Sequence, residues 1–336
     1  MNIWKGKHGP LLIAEIGGNH EGDFDYALKL TELALEAGVD YVKYQLYSGD
    51  TLVSKLESPT RNKHFKKFEL TKDQYIHLAR KCTDHGAGFL ASVWDPDYLD
   101  WIDPFMDFYK IGSGDLTAFP VLRATAQRKK PILISTGLSD EKEVLDVVHF
   151  IQGCDPMYLD PGNLAILQCT AMYPIRYQDA HLNVMGRLRS LTGLPIGYSD
   201  HTEGTYALEI AVALGAQILE FHFTDKREGK EFRDHKVSLI RDEVQTLISK
   251  INSIEQLKGH DIKRPLEIEG DHTVSFRRAV YPKENLSKGD QLNDKNLICL
   301  RPNHGIDARE YDQLLGKKLK TDVREHQKLT WDMLED

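Results

Sequence analysis

Two histidines lie at the ends of two apolar, strand-like runs of the chain. The run PIGYSDH, residues 195–201, ends on His201, and the run QILEFHF, residues 217–223, carries His222 next to its end. If these runs are neighbouring strands, both imidazoles meet at one edge of the sheet. Two nitrogen ligands with open positions suit Mn²⁺ or another catalytic divalent cation better than a closed structural zinc site. The alternative is that each histidine is a core or surface residue without a ligand.

Two lysines, Lys43 and Lys110, interrupt other runs that have the composition of buried strands. Lysine is rarely buried without a partner, so each ammonium group needs an anion nearby. One possibility is an internal ion pair with Glu15 or Asp115. We expect the two lysines on neighbouring strands, and in an acidic protein this arrangement favours a bound phosphate or carboxylate.

Eight β-rich apolar runs are separated by segments with helical periodicity, such as DFDYALKLTELALEAG and SDEKEVLDVVHFIQ. Strands that are apolar on both faces and alternate with amphipathic helices indicate a parallel sheet covered by helices. Eight units favour a closed (β/α)₈ TIM barrel, and no GxGxxG or P-loop motif supports an open doubly wound sheet. The runs are residues 11–17, 41–47, 88–94, 108–114, 131–137, 164–170, 195–201 and 217–223.

In a barrel of this kind, the carboxyl ends of the strands and the loops that follow them build the active site. Polar residues are frequent at these positions, and they include both lysines and both histidines. The full set is Glu15, Asn19, Lys43, Gln45, Ser92, Asp95, Lys110, Ser113, Asp115, Ser135, Thr136, Gln168, Thr170, Ser199, Asp200, His201, Glu220, His222 and Thr224.

The pattern changes near the segment GHDIKRPLEIEGDHT. Short strand-like pieces and turns follow it, without a long amphipathic helix, which predicts a small β-rich second domain. We therefore expect a catalytic barrel over residues 1–262, a linker over 263–275 and a small domain over 276–336.

Composition excludes several classes of function. The formal net charge of −8 and the isoelectric point near 6.0 argue against a sequence-independent nucleic-acid binder, which needs a basic face. The four cysteines are widely spaced and form no CxxC pair, as is usual for reduced thiols. Neither a signal-peptide pattern nor a membrane-length apolar run is present, so a cytoplasmic protein is expected.

The ordered motifs AEIGGNHEG, VKYQ, YKIGSGD, ILISTGL, CTAMYP, GYSDHT and LEFHFT resemble those of the sialic acid synthase family. The tail, with FRRAVY and CLRPNHGI, is similar to the antifreeze-like SAF domain of that family, a small β-clip fold. The resemblance covers essentially the whole chain. It implies a transferase that condenses phosphoenolpyruvate with an N-acylated amino sugar, such as N-acetylmannosamine or its 6-phosphate, and releases phosphate.

The resemblance also implies roles for individual residues. His201 and His222 match the metal ligands, for Mn²⁺ or alternatively Mg²⁺ or Co²⁺, and Glu15 matches an acidic residue beside the reacting atoms. Arg301 matches an arginine that one protomer inserts into the barrel of the other, which implies a domain-swapped homodimer. Phosphoenolpyruvate contacts are implied for Lys43, Lys110, Ser113 and Ser199, a further substrate contact for Ser92, and acceptor contacts for Gln45, Asp115, Tyr173 and Asp234.

Some positions depart from the family pattern. Ala171 stands where asparagine or serine is common, and Ser92 and Asp115 replace the usual threonine and glutamate. The segment DKREGKEFRDHKVSL is longer than the usual loop and lacks its GPD, which leaves the acceptor open.

Several alternatives therefore remain. They are a legionaminic or pseudaminic acid synthase with the same chemistry, a metal-dependent barrel hydrolase, and an inert carbohydrate-binding relative. The polar segment of residues 48–68 is either a lid over the site or solvated surface.

Overall fold

A computed structural model of the protein describes residues 3–335. Eight parallel strands form a closed barrel in chain order, and the first strand pairs with the eighth through Leu11 opposite Ile218 and Glu15 opposite His222. The predicted TIM barrel is confirmed. The strands are β1 (Gly9–Glu15), β2 (Tyr41–Leu46), β3 (Gly88–Val93), β4 (Tyr109–Ile111), β5 (Ile132–Ser135), β6 (Leu164–Cys169), β7 (Ile196–Asp200) and β8 (Ile218–His222).

Helices follow the strands and bury their apolar faces against them. The first begins at the N-cap Asp23, whose carboxylate accepts from the Tyr26 amide, and ends at Gly38 in the left-handed conformation. The helices of this unit are α1 (Phe24–Ala37), α2 (Gly49–Leu52), α3 (Pro59–Lys67), α4 (Lys72–Asp84), α5 (Leu99–Ile102), α6 (Phe119–Ala126), α7 (Glu141–Cys154), α8 (Val184–Thr192), α9 (Tyr206–Ala213), α10 (Asp234–Val237) and α11 (Arg241–Lys258).

The two lysines singled out in the sequence lie on β2 and β4, with β3 between them. The expectation that they occupy neighbouring strands is therefore wrong, because the run at residues 88–94 intervenes. His201 directly follows β7 and His222 is the last residue of β8, and these two strands do pair side by side.

The chain forms two compact units, one ending at Gly259 and the other beginning at His260. The second unit is β-rich, as expected, with an antiparallel pair that aligns Ala279 with Leu300. Its own apolar core is separate from that of the barrel. Its elements are α12 (His272–Ser275), β9 (Ala279–Pro282), β10 (Leu297–Leu300) and α13 (Tyr311–Leu314).

Within residues 3–335, no helix is both long enough and apolar enough to span a membrane.

Gly197 in β7 offers a test of the packed barrel. A Cβ atom at this position would lie 2.2 Å from the Ile218 backbone oxygen and 2.5 Å from a Leu167 methyl carbon. Gly197→Ala should lower the free energy of unfolding by about 1–3 kcal/mol, because the strand must shift to relieve the overlap. Gly186→Ala is the matched control, since no atom lies within 4 Å of its Cβ. Within α8 it should raise stability by up to about 1 kcal/mol. Urea denaturation of both variants measures the difference, and equal stabilities would contradict this packing.

Candidate active site

A cavity of about 880 Å³ is lined by residues at the carboxyl ends of the barrel strands and in the loops that follow them. This is the face on which barrel enzymes carry their active sites. The strand-end residues lining it are Glu15, Lys43, Gln45, Ser92, Lys110, Ser135, Cys169, Ser199, Glu220 and His222.

Glu15 and Lys43 form a buried ion pair on one side of the cavity. The Lys43 ammonium lies 2.6 Å from Glu15 Oε2, and Gln45 Nε2 donates to Glu15 Oε1 at 2.8 Å. Burial raises the pKa of Glu15, and Lys43 opposes this only in part. Burial alone would lower the pKa of Lys43, but Glu15 and Glu220 outweigh it, so that pKa is raised and the ammonium form is favoured.

Lys110 and Glu220 form the second buried pair. Lys110 Nζ lies 3.4 Å from Glu220 Oε2 and donates to Ser135 Oγ at 2.6 Å, while Ser199 Oγ donates to Glu220 Oε1 at 3.1 Å. Burial lowers the pKa of Lys110, and Glu220 compensates only in part. The pKa of Glu220 is lowered, because Lys110 and Lys43 outweigh its burial. The partner of Lys110 is thus Glu220 rather than Asp115, which the sequence analysis had considered.

The two histidine rings are neighbours in the cavity, with ring centroids 5.3 Å apart and ring planes inclined by 51°. His201 Nδ1 lies 2.7 Å from the Thr170 carbonyl oxygen, which can only accept, so Nδ1 carries the proton and Nε2 keeps its lone pair. His222 Nδ1 is buried, has no hydrogen-bond partner among residues 3–335, and lies 3.9 Å from Asp234 Oδ2. Burial lowers the pKa of both histidines, so both are neutral near pH 7.

This arrangement fits a divalent cation held by the two imidazoles. Neutral rings with free lone pairs are the ligand form of histidine, and the orphaned His222 Nδ1 is a buried polar atom that lacks a partner. In the described part of the chain, no group of three His, Cys, Asp or Glu side chains is arranged to hold a metal. Water or substrate would therefore supply the other ligands, as in open catalytic sites.

The structure brings together eleven of the thirteen site residues expected from the sequence, and all eleven line the cavity: Glu15, Lys43, Gln45, Ser92, Lys110, Ser113, Tyr173, Ser199, His201, His222 and Asp234. Asp115 does not line it. This half-buried carboxyl lies in a turn beyond β4, and burial raises its pKa to about 6. Arg301 belongs to the small unit, where its guanidinium lies over the Phe276 ring.

Two loop segments contribute further cavity residues that the sequence analysis did not assign. The polar segment of residues 48–68 lines the cavity with Arg61, His64, Phe65, Lys67 and Phe68, so it is more than solvated surface. The long loop of residues 225–239 adds Glu231, Phe232 and Arg233 beside the expected Asp234. Glu220 was one of the polar strand-end residues in the sequence, but no role or partner was predicted for it. Its position on β8, between β7 and β1, which both carried predicted site residues, could have indicated that it lies in the site.

Removing one member of the Glu15–Lys43 pair should destabilise the barrel. Lys43→Met leaves Glu15 buried without a counter-charge, which we expect to lower the free energy of unfolding by about 3–5 kcal/mol. The double variant Glu15→Gln/Lys43→Met removes both charges and should recover most of that loss. Urea denaturation at pH 7 measures all three proteins. A single variant as stable as the parent would show that the pair is not desolvated.

Comparison with known proteins agrees with the fold. The NeuB family model matches residues 30–263, and the SAF domain model matches residues 277–335. The chain is 33% identical over 342 residues to an N,N'-diacetyllegionaminic acid synthase of Legionella pneumophila, with 96% of this chain and 94% of the relative covered.

Two further comparisons, with a human relative and with a solved structure, give similar results. The chain is 31% identical over 334 residues to the human N-acetylneuraminate-9-phosphate synthase, with 95% of this chain and 91% of the relative covered. A crystal structure of an N-acetylneuraminic acid synthetase from Leptospira borgpetersenii aligns with a TM-score of 0.72 at 27% identity, over 78% of this chain and 90% of that one. The resemblance to the sialic acid synthases is confirmed, and the chain belongs to the NeuB family and carries a SAF domain.

Proposed function

We propose that this protein condenses phosphoenolpyruvate with an N-acylated amino sugar to give a 2-keto-3-deoxy (nonulosonic) acid and inorganic phosphate. The observation that carries the proposal is that two buried lysines and two neutral, neighbouring histidines line one cavity. An enol phosphate needs cationic groups, and a sugar aldehyde needs a group that polarises its oxygen. Relatives named as sialic and legionaminic acid synthases support the assignment.

Lys43 and Lys110 would hold the anionic groups of phosphoenolpyruvate. Each lysine already has a carboxylate partner, which holds its ammonium group in place before the substrate binds. The hydroxyls of Ser113 and Ser199 line the same cavity, and Ser113 can donate to a phosphate or carboxylate oxygen, whereas the Ser199 hydroxyl already donates to Glu220. Positioning by groups that need no rearrangement favours the charge distribution of the transition state.

His201 and His222 would hold the divalent cation, for which we propose Mn²⁺. When bound, such a cation polarises the aldehyde oxygen of the open-chain sugar toward attack by C3 of phosphoenolpyruvate. The attack forms a carbon–carbon bond and leaves C2 electron-deficient. Glu15, fixed by Lys43 and Gln45, would stabilise this centre or steer the water that adds to it. Cleavage of the C2–O bond then releases phosphate and forms the ketone.

We further propose that the active form is a cytoplasmic homodimer. The family resemblance implies that Arg301 of one protomer enters the barrel of the other. Phosphoenolpyruvate is a cytoplasmic metabolite, and the four cysteines are free, as is usual in a reducing compartment.

The reaction can be tested with purified protein, phosphoenolpyruvate, Mn²⁺ and a panel of N-acylated amino sugars. Metal-dependent release of phosphate is expected with at least one sugar, together with a keto acid product identified by mass spectrometry. Treatment with a chelator should abolish turnover, and added Mn²⁺ should restore it. Failure of every sugar to support phosphate release would contradict the proposed reaction.

The histidine pair can be tested separately. His201→Ala and His222→Ala should each abolish turnover, because one imidazole leaves too few fixed ligands for the cation, and should weaken Mn²⁺ binding measured by calorimetry by at least about 10–100-fold. His149→Ala, which changes an exposed histidine of α7, is the control and should behave like the parent. Unchanged Mn²⁺ affinity in both cavity variants would remove the histidines as ligands.

A further inference from the structure

The loop of residues 225–239 carries Asp234 into the cavity, and its far end pairs with the end of β8. The Leu239 amide donates to the His222 carbonyl oxygen at 2.8 Å, and the Leu239 carbonyl oxygen accepts from the Thr224 amide at 2.9 Å. The loop is therefore closed on the strand that carries one of the two cavity histidines.

A buried serine and a buried asparagine hold the backbone of Asp234. Ser238 Oγ donates to the Asp234 carbonyl oxygen at 2.7 Å and accepts from Asn19 Nδ2 at 2.8 Å. Asn19 Nδ2 also donates to the Phe223 carbonyl oxygen at 2.9 Å. Asn19 follows β1, so this residue joins the segment after β1 to the residues on both sides of the loop.

His235, the residue after Asp234, makes a second connection. Its buried ring places Nδ1 2.7 Å from Thr224 Oγ1 and Nε2 3.2 Å from Glu21 Oε1. Burial lowers the pKa of His235 and Glu21 opposes this only in part, so the ring is neutral near pH 7. A carboxylate can only accept, so Nε2 carries the proton and Nδ1 accepts from the Thr224 hydroxyl. The two connections, which we call the loop tethers, are Asn19–Ser238 and Glu21–His235–Thr224.

The tethers control the orientation of the loop as well as its closure. Farther along the loop, Phe232 packs against Phe68 with ring centroids 5.1 Å apart, which shows that apolar contacts also hold this segment. Hydrogen bonds are directional, and removing one partner leaves a buried polar group unpaired at a cost in free energy. Buried polar networks therefore specify one arrangement more strictly than apolar packing does. Four tether side chains are buried: Asn19, Thr224, His235 and Ser238.

The arrangement that the tethers specify places a carboxylate beside His222. Asp234 Oδ2 lies 3.9 Å from His222 Nδ1, the buried nitrogen that lacks a hydrogen-bond partner among residues 3–335. Arg233 Nε contacts the other oxygen, Asp234 Oδ1, at 3.2 Å. A separation of 3.9 Å is too long for a hydrogen bond, but an anion this close to a buried imidazole still attracts a cation that the ring binds.

Asp234 acts from behind the histidines rather than as a third ligand. Across residues 3–335, no three His, Cys, Asp or Glu side chains are arranged to hold a metal. Carboxylates next to ligand histidines fix the ring orientation and raise the basicity of the imidazole, and such groups commonly change metal affinity by about 10–100-fold.

Resting on the proposed function, we propose that His235 and Ser238 are positioning residues for the cation site. Through the loop tethers they hold the Asp234 carboxylate beside His222, and the carboxylate strengthens the binding of the divalent cation by the histidine pair. The tethers connect three parts of the chain, namely the segment after β1, the end of β8 and the cavity loop. Loop position and cation affinity are therefore coupled.

The test is calorimetric titration of Mn²⁺ into the parent protein and single variants, which needs no turnover. Asp234→Asn should weaken Mn²⁺ binding by about 10–100-fold, and His235→Leu and Ser238→Ala should each weaken it by about 10-fold. His235→Gln keeps a donor toward Glu21 and should retain most of the affinity. Ser253→Ala, which removes an exposed hydroxyl on α11, is the control and should bind like the parent.

Two further measurements distinguish positioning from general damage to the barrel. In an Asp234→Asn background, His235→Leu should weaken Mn²⁺ binding by less than about 2-fold more, because both changes act through the same carboxylate. Affinity for phosphoenolpyruvate, titrated without metal, should stay within about 2-fold of the parent in both tether variants, since the carboxylate partners of Lys43 and Lys110 lie outside the loop.

The inference is overturned if a folded tether variant binds Mn²⁺ like the parent, if the losses in the double variant are additive, or if phosphoenolpyruvate affinity falls in parallel. Should His235→Leu fail to fold, Ser238→Ala alone and combined with Asp234→Asn decides the question. The proposed function stands in these cases if the parent releases phosphate in a metal-dependent reaction. If no sugar is turned over, the proposed function fails, and the Mn²⁺ titrations still decide the inference. A parent that binds no Mn²⁺ overturns it.

Discussion

The buried charges on the cavity floor are the constraint on which the rest of the site depends. A closed barrel removes strand-end side chains from water, and a lysine can remain charged there only if anions compensate it. Glu15 and Glu220 provide this compensation for Lys43 and Lys110. The result is a neutral cluster with fixed ammonium groups, which can receive an anionic substrate without first rearranging. The hydroxyls of Ser135 and Ser199 and the amide of Gln45 donate or accept hydrogen bonds within the same cluster, and Glu220 Oε2 is left without a hydrogen-bond partner among residues 3–335.

The same burial sets the state of the histidines. Burial lowers the pKa of both imidazoles, and at His222 the nearby Lys43 and Arg233 lower it further, so both rings are neutral, which is the form that binds a cation. The strands therefore fix the buried charged groups and His222, whereas the segments that border the cavity add aromatic and charged side chains to its lining. This division between a rigid strand-end site and variable loops is typical of barrel enzymes.

Much of this arrangement could be predicted from the sequence, because strand periodicity and strand count define a barrel and a barrel brings its strand ends together. His201 and His222 were placed correctly for that reason. The partner of Lys110 could not be predicted, since the contact with Glu220 spans the barrel interior and depends on the register and stagger of strands that are not neighbours. Asp115 was expected in the cavity, but the turn after β4 keeps it out of the lining. Phe68 and Phe232 lie outside periodic elements, so no sequence pattern indicated their contact.

The most direct test of the central claim is calorimetric titration of phosphoenolpyruvate into the protein, into one variant of the charged floor and into one surface control variant. The account predicts saturable binding by the parent protein. It also predicts affinity at least about 30-fold weaker for Lys110→Met, which leaves Glu220 unpaired and removes a cation from the substrate. Lys142→Met, which changes an exposed lysine of α7, should bind like the parent. Absence of saturable binding by the parent, or equal affinity in the parent and Lys110→Met, would contradict the account.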